Sequence, residues 1–133
     1  MAKGKKIYLG AALVHAPEVY RRSILDLKKI LSEQFEVLDF YGYDKAGEAR
    51  NVYLHDIDCV KNCDFLLAEC SYPSLGLGFE IASALNLNKP VIAVAHKDAL
   101  VSRMILGIDT PLFTFMRYES ISDIAKIISE FAL

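Results

Sequence analysis

Apolar residues along this chain fall into two alternating patterns. Short runs rich in apolar residues read as strands: Lys6–Leu13, Phe35–Phe40, Asp64–Cys70, Pro90–Ala95 and Pro111–Met116, of which Pro90–Ala95 is continuously apolar, the pattern of a strand covered on both faces. Between them, apolar positions recur at helical spacing. Pro17 suits a first helical turn, and Tyr20, Ile24, Leu27 and Leu31 follow on one stripe. Asn51–Cys63 predicts a second helix with Tyr53, Ile57 and Val60 inward. Gly78–Asn88 predicts a third, with Leu77, Ile81, Ala84 and Leu85 on its core stripe. Val101–Leu106 predicts a short helix. Ser120–Phe131 predicts the last, with Ser120 and Asp123 in a capping-box pattern and Ile121, Ile124, Ile128 and Phe131 inward. Tyr41–Arg50, with Gly42 and Gly47, reads as a loop long enough to cover a site.

Five strands alternating with helices predict an α/β fold, a five-stranded doubly wound parallel sheet with right-handed crossovers. Ligands of such sheets bind beyond the carboxyl ends of the strands. The loops after Leu9, Phe40, Cys70 and Ala95 form that edge. No repeat, linker or low-complexity segment interrupts the pattern, so residues 1–133 read as a single domain.

Composition then excludes several classes. At 133 residues and 53% hydrophobic, the chain can bury a real core. Its net charge of −2 provides no basic surface for a nucleic acid polymer. No apolar run is long enough to span a membrane, and the opening Met-Ala-Lys-Gly-Lys-Lys is not followed by a segment of signal-peptide type. Cys59, Cys63 and Cys70 make an odd number without an export signal. Free thiols in a reducing cytoplasm are expected. Cys59 and Cys63 could share a helix face, but a metal needs two more ligands, and His15, His55 and His96 are scattered. No metal is expected. The first loop, Gly10-Ala11-Ala12-Leu13-Val14-His15, lacks G-x-G-x-x-G, and no Walker-type Gly-Lys-Ser/Thr occurs. Dinucleotide and nucleoside triphosphate chemistry are thereby disfavoured, and no cofactor is expected.

The candidate chemistry lies between Asp64 and Pro90. The third strand breaks at Tyr72-Pro73-Ser74, and the chain passes Gly76 and Gly78 into a helix whose first turn is expected to carry Glu80. There the helix dipole favours an ionised carboxylate, the form that acts as a nucleophile. Taken alone the element says little. Glu suits first turns for electrostatic reasons only, and glycines often merely allow a tight turn.

The string Pro73-Ser74-Leu75-Gly76-Leu77-Gly78-Phe79-Glu80 does not stand alone. Together with Asp56, Asp64-Phe65-Leu66-Leu67-Ala68-Glu69, Val101-Ser102-Arg103-Met104-Ile105 and Ile7-Tyr8-Leu9-Gly10, it closely resembles the nucleoside 2-deoxyribosyltransferase superfamily. Within it, the nearest branch is the 2′-deoxynucleoside 5′-monophosphate N-hydrolases. The similarity is collinear and touches most of the chain. It implies a flavodoxin-like three-layer sandwich, in agreement with the patterning, and cleavage of an N-glycosidic bond.

The resemblance also implies roles. Glu80 is the implied nucleophile, Asp56 the acid/base group beside the leaving base, and Tyr8 the hydroxyl that holds Glu80. By themselves, Asp56 would read as a solvated helix residue and Tyr8 as core. The implied substrate-binding positions are Gly10, Ala12 and Leu13 in the first loop, Ser74, Gly76 and Gly78 in the central turn, and Ser102 and Met104 beyond the fourth strand. Transferases carry an acid and an amide at the positions of Ser74 and Ser102, which suits a free 5′-hydroxyl. The hydrolase branch has serine at both, as here, and serine tolerates a phosphate that an acid would repel. In the family the Ser102 segment enters the neighbouring subunit's site, so a homodimer with shared active sites is implied.

One departure bears on the phosphate. The hydrolase first loop has serine and then arginine where this chain has Ala12 and Val14, so a bidentate donor is missing. Backbone N–H groups near Leu13–Ala16, with His15 or Arg21, are candidate replacements. Tyr8-Leu9-Gly10-Ala11 also looks at least as much like the transferase loop. Three classes stay open: hydrolysis of a deoxynucleoside monophosphate to base and deoxyribose 5-phosphate, base exchange between deoxynucleosides, and a non-catalytic nucleotide-binding module.

Overall fold

The structure, a computed structural model, describes residues 4–38 and 48–131. The elements run β1 (Lys6–Ala11), α1 (Glu18–Leu31), β2 (Glu36–Leu38), α2 (Ala49–Asn62), β3 (Phe65–Glu69), α3 (Leu75–Asn86), β4 (Val91–His96), α4 (Arg103–Leu106), β5 (Phe113–Tyr118) and α5 (Ile121–Ser129). The strands form one parallel sheet in the order β2-β1-β3-β4-β5. Order reverses on either side of β1 and β3, which places the ligand edge where those strands end.

The alternation of side chains along each strand divides the core in two. Ile7, Leu9, Phe65, Leu67, Ile92 and Val94 face one way and meet the buried stripes of α1 and α5. Tyr8, Leu66, Ala68, Val91 and Ala93 face the other way, against Val60 of α2 and Leu77, Ile81 and Ala84 of α3. The stripe Tyr20, Ile24, Leu27 and Leu31 is buried as its spacing predicts. Parity has a consequence for the site: Tyr8 and Gly10 of β1 point toward α3.

Several boundaries differ from the sequence reading. α3 begins at Leu75, three residues ahead of Gly78, because Ser74 caps it and its Oγ accepts the Leu77 N–H at 3.1 Å. Gly76 and Gly78 therefore lie inside the helix. α3 ends at Asn86; Asn88 takes a left-handed φ of 59° and Lys89 N–H returns to the Ala84 carbonyl at 2.9 Å. β5 starts at Phe113, two residues late. A turn from the Thr110 carbonyl to Phe113 N–H (3.1 Å) contains Pro111, which has no N–H for the ladder. β1 stops at Ala11. Of the expected loop, residues 41–47 lie outside the described residues, as does Phe40, whereas Ala49 and Arg50 already belong to α2. Tyr53, expected inward, is 51% exposed. The buried residues of α2 are Cys59 and Val60, near its end.

Candidate active site

Glu80 is the sixth residue of α3 and 9% exposed. The Tyr8 hydroxyl, fully buried on β1, donates to its Oε2 at 2.6 Å. Gly10, the next residue on that face of β1, makes the approach possible. A Cβ there would lie 2.8 Å from Leu77 Cδ1 and 3.3 Å from Glu80 Oε1. Burial pushes the Glu80 carboxyl up to about 7; the Tyr8 hydrogen bond opposes that rise and the Asp56 charge adds to it. The expectation of a dipole-stabilised anion is thus corrected. Glu80 sits beyond the first turn, where the dipole acts, and desolvation outweighs it. Tyr8 is pushed well above the ordinary tyrosine range, first by burial and then by the Glu80 charge, so it remains a donor.

Asp56 comes from α2, and it borders the same cavity of about 500 Å³ as Glu80 and Gly76. His55 Nδ1 lies 3.0 Å from Asp56 Oδ1. Two half-exposed rings, Tyr53 of α2 and Phe79 of α3, stand at this cavity with centroids 6.1 Å apart. Two carboxylates from different helices facing one apolar-rimmed space is an arrangement for charge development at a carbon and proton transfer to a leaving group.

The other candidate residues gather elsewhere. Ser74, Gly78, Ser102 and Met104 border a larger cavity of about 850 Å³, joined there by Tyr72 and His15. Leu75 borders both cavities. Ser74 Oγ caps α3, and Ser102 Oγ accepts the Met104 N–H at 3.2 Å at the start of α4. Each hydroxyl is thereby oriented and keeps its own hydrogen for a ligand. Ala12 and Leu13 are buried at the exit of β1. Arg21, one candidate to replace the missing arginine, instead holds that loop: its Nη1 donates to the Ala16 carbonyl at 2.6 Å and the Leu13 carbonyl at 3.3 Å, and its Nη2 to Glu18 at 2.7 Å. That leaves His15 as the side-chain candidate at the larger cavity.

Sequence reasoning assigned no role to Glu69, although it quoted the residue within a motif. The available signal was a charged side chain closing a strand whose other four positions are apolar. It weighed His55 only as a scattered metal ligand, although the residue is the sequence neighbour of Asp56 and its Nδ1 meets Asp56 Oδ1. Among the described residues, no group of His, Cys, Asp and Glu could hold a metal ion. Also among them, no helix is long and apolar enough to cross a membrane.

The sheet order defines a fold class, which comparison with solved structures specifies. The chain superposes on a CMP N-glycosidase of Clostridium botulinum with a TM-score of 0.74 and 22% identity, covering 96% of this chain and 100% of that one. On a 2-deoxyribosyltransferase of Leishmania mexicana the TM-score is 0.70 at 19% identity, covering 97% and 99%. The fold is that of the nucleoside deoxyribosyltransferase-like α/β proteins. No protein-family profile matches the chain. In sequence it is 37% identical over 130 residues to a Thermofilum pendens protein with the provisional name 2′-deoxynucleoside 5′-phosphate N-hydrolase 1, spanning 89% of this chain and 88% of that one. It is 29% identical over 96 residues to the 5-hydroxymethyl-dUMP N-hydrolase of Rattus norvegicus, spanning 67% and 59%. The chain belongs to the 2′-deoxynucleoside 5′-phosphate N-hydrolase family.

Proposed function

We propose that this protein hydrolyses the N-glycosidic bond of 2′-deoxynucleoside 5′-monophosphates, releasing the free base and deoxyribose 5-phosphate. The observation that carries the reading is the Glu80 carboxylate, buried, held by Tyr8 at 2.6 Å and facing a cavity shared with Asp56. In the first step a Glu80 carboxylate oxygen bonds to the anomeric carbon as the carbon–nitrogen bond breaks. The bonding pair leaves with the base, and Asp56 delivers the proton that neutralises it. In the second step Asp56 accepts a proton from water. That water's oxygen bonds to the anomeric carbon, the ester to Glu80 breaks, and the carboxylate is restored. Tyr8 fixes which Glu80 oxygen is free to attack. No cofactor enters either step.

The 5′-phosphate is assigned to Ser74 and the start of α3, with a ring N–H of His15, which borders the same cavity, as a further donor in place of the absent arginine. Ser102 and Met104 are assigned to the site of a partner in a homodimer. Leu75, Leu100 and Met104 are 97%, 94% and 83% exposed around the larger cavity, an apolar surface that a second copy of the chain would cover. A cytoplasmic setting fits three buried cysteines, none of them in a disulfide.

The test is release of free base from deoxynucleoside monophosphates, with and without a second base. Hydrolysis proceeds equally in both. Base exchange, the second reading, is favoured by the engagement of Arg21 away from the larger cavity; it would require the second base and would prefer unphosphorylated deoxynucleosides. No release under any condition would leave only the non-catalytic nucleotide-binding module.

A further inference from the structure

The chain buries a second carboxylate that the reaction does not use. Glu69 ends β3 with no solvent exposure, on the α1/α5 face of the sheet and therefore opposite in parity to the face that meets Glu80. Four donors meet it. Oε1 accepts from the Tyr20 hydroxyl at 2.7 Å and from the Ser71 backbone N–H at 2.9 Å. Oε2 accepts from Ser71 Oγ at 2.6 Å and from the Tyr118 hydroxyl. Ser71 Oγ in turn accepts the His96 N–H at 2.8 Å. One side chain thus joins α1, the end of β5, the end of β4 and the turn that leaves β3.

A buried carboxylate without a cation is costly unless every lone pair is met. Here the donors that meet it all lie at the carboxyl edge of the sheet, where ligands bind. The connection runs onward to the larger cavity. The Tyr20 ring packs edge-on against Tyr72 with centroids 4.7 Å apart. Tyr72 borders the cavity beside Ser74, and Ser74 caps α3.

We propose that Glu69 is a positioning residue that fixes the turn 71–74, and through it the place where the anionic end of the substrate is bound. This rests on the reading of the chain as a deoxynucleotide N-hydrolase. Glu80 is tethered separately, by Tyr8 from β1. Substrate affinity and chemistry are therefore held by different networks, and a change at Glu69 separates them.

Glu69→Gln keeps the size of the side chain but removes its charge and reverses the direction of half its hydrogen bonds. The amide retains one acceptor oxygen for the Tyr20 hydroxyl and the Ser71 N–H, and its N–H₂ obliges the Ser71 and Tyr118 hydroxyls to turn and accept, which weakens charge-assisted bonds to neutral ones and lets the turn shift. Steady-state kinetics with a deoxynucleoside monophosphate are expected to show KM raised about tenfold or more with kcat within about threefold. Tyr118→Phe removes a single donor and should move KM the same way by less; it serves if Glu69→Gln does not fold. On a Ser74→Ala background the Glu69→Gln effect should shrink, because both act on one turn. A merely structural Glu69 would lower the folded, active fraction and leave KM unchanged. That outcome, with active wild type, overturns the positioning role alone. A wild-type chain that releases no base overturns the reading beneath it.

Discussion

Glu80 must satisfy two demands that oppose each other. As the proposed nucleophile it has to be buried beside Tyr8 to have a fixed attack direction, and it has to be ionised to attack. Burial pushes its carboxyl up to about 7, so the anion carries a penalty in the folded state. In the unfolded chain an ordinary glutamate loses its proton near 4.5. As pH rises from about 4.5 through about 7, the unfolded state gives up this proton before the folded state does. Stability from this group is therefore greatest below the window and falls across it. The contribution of this group to activity runs the other way, rising with pH through about 7 as Glu80 ionises. Glu80→Gln should accordingly raise thermal stability above pH 7, by an amount on the order of 1–3 kcal/mol, with the gain vanishing below pH 4.5. Melting curves of both proteins at two pH values check this; an equal difference at both would contradict it. Such burial could not be seen in the sequence. The Tyr8–Glu80 contact was expected from the resemblance of two short motifs, but desolvation is a property of the assembled core. Dipole reasoning, which is local, therefore had the wrong sign for the Glu80 carboxyl.

α3 is the element that organises the site, and its start was the boundary misread most. Two glycines in five residues suggested a turn running to Gly78. Ser74 decides otherwise, since a capping hydroxyl that accepts the Leu77 N–H nucleates the helix ahead of both glycines. Neither glycine is there for backbone strain. An added Cβ at Gly76 would have only Ser74 Oγ for a neighbour, at 3.9 Å, and at Gly78 nothing within 4 Å. Gly76 borders the smaller cavity and Gly78 the larger. Their lack of side chains leaves room for a ligand at a cost to the helix of about 1 kcal/mol each. Gly78→Ala is thus expected to stabilise the protein by about 0.5–1 kcal/mol and to raise KM. A melting curve and a saturation curve test this together, and a stabilised variant with unchanged KM would mean the space at Gly78 is not used. The helical stripes of α1 and α5 were legible because their spacing alone determines which residues are buried. The first turns of α2 were not: Tyr53 stands half-exposed at the smaller cavity and not in the core.

At the scale of the whole molecule the strand–helix alternation was enough to predict the parallel sheet and its two helical faces. The division of the candidate residues between two cavities was not legible, because it depends on which side of α3 each residue takes. Ser102 and Met104 border the larger cavity of their own chain, while the proposed homodimer assigns them to a partner. Mixing two inactive variants separates the alternatives. Ser102→Asp should repel the phosphate and Glu80→Gln should stop the chemistry. A mixed dimer with shared sites contains one native Glu80 opposite one native Ser102, so combining and reassembling the variants should restore activity, up to one site per dimer. No recovery, with heterodimers shown to form, would mean that each chain builds its site alone.

The central claim is that Glu80 performs the chemistry of N-glycosidic cleavage. Its most direct measurement is the initial rate of free-base release from deoxynucleoside monophosphates by the wild type, Glu80→Gln, Asp56→Asn and Tyr8→Phe, with folding and nucleotide binding of each confirmed. The account predicts near-complete loss for Glu80→Gln, on the order of a thousandfold or more, as expected when a covalent nucleophile is removed. It predicts a smaller loss for Asp56→Asn, smaller still with bases that leave readily, and the least for Tyr8→Phe. Base release by Glu80→Gln at the wild-type rate would contradict the account and leave Glu80 as a buried structural residue of α3.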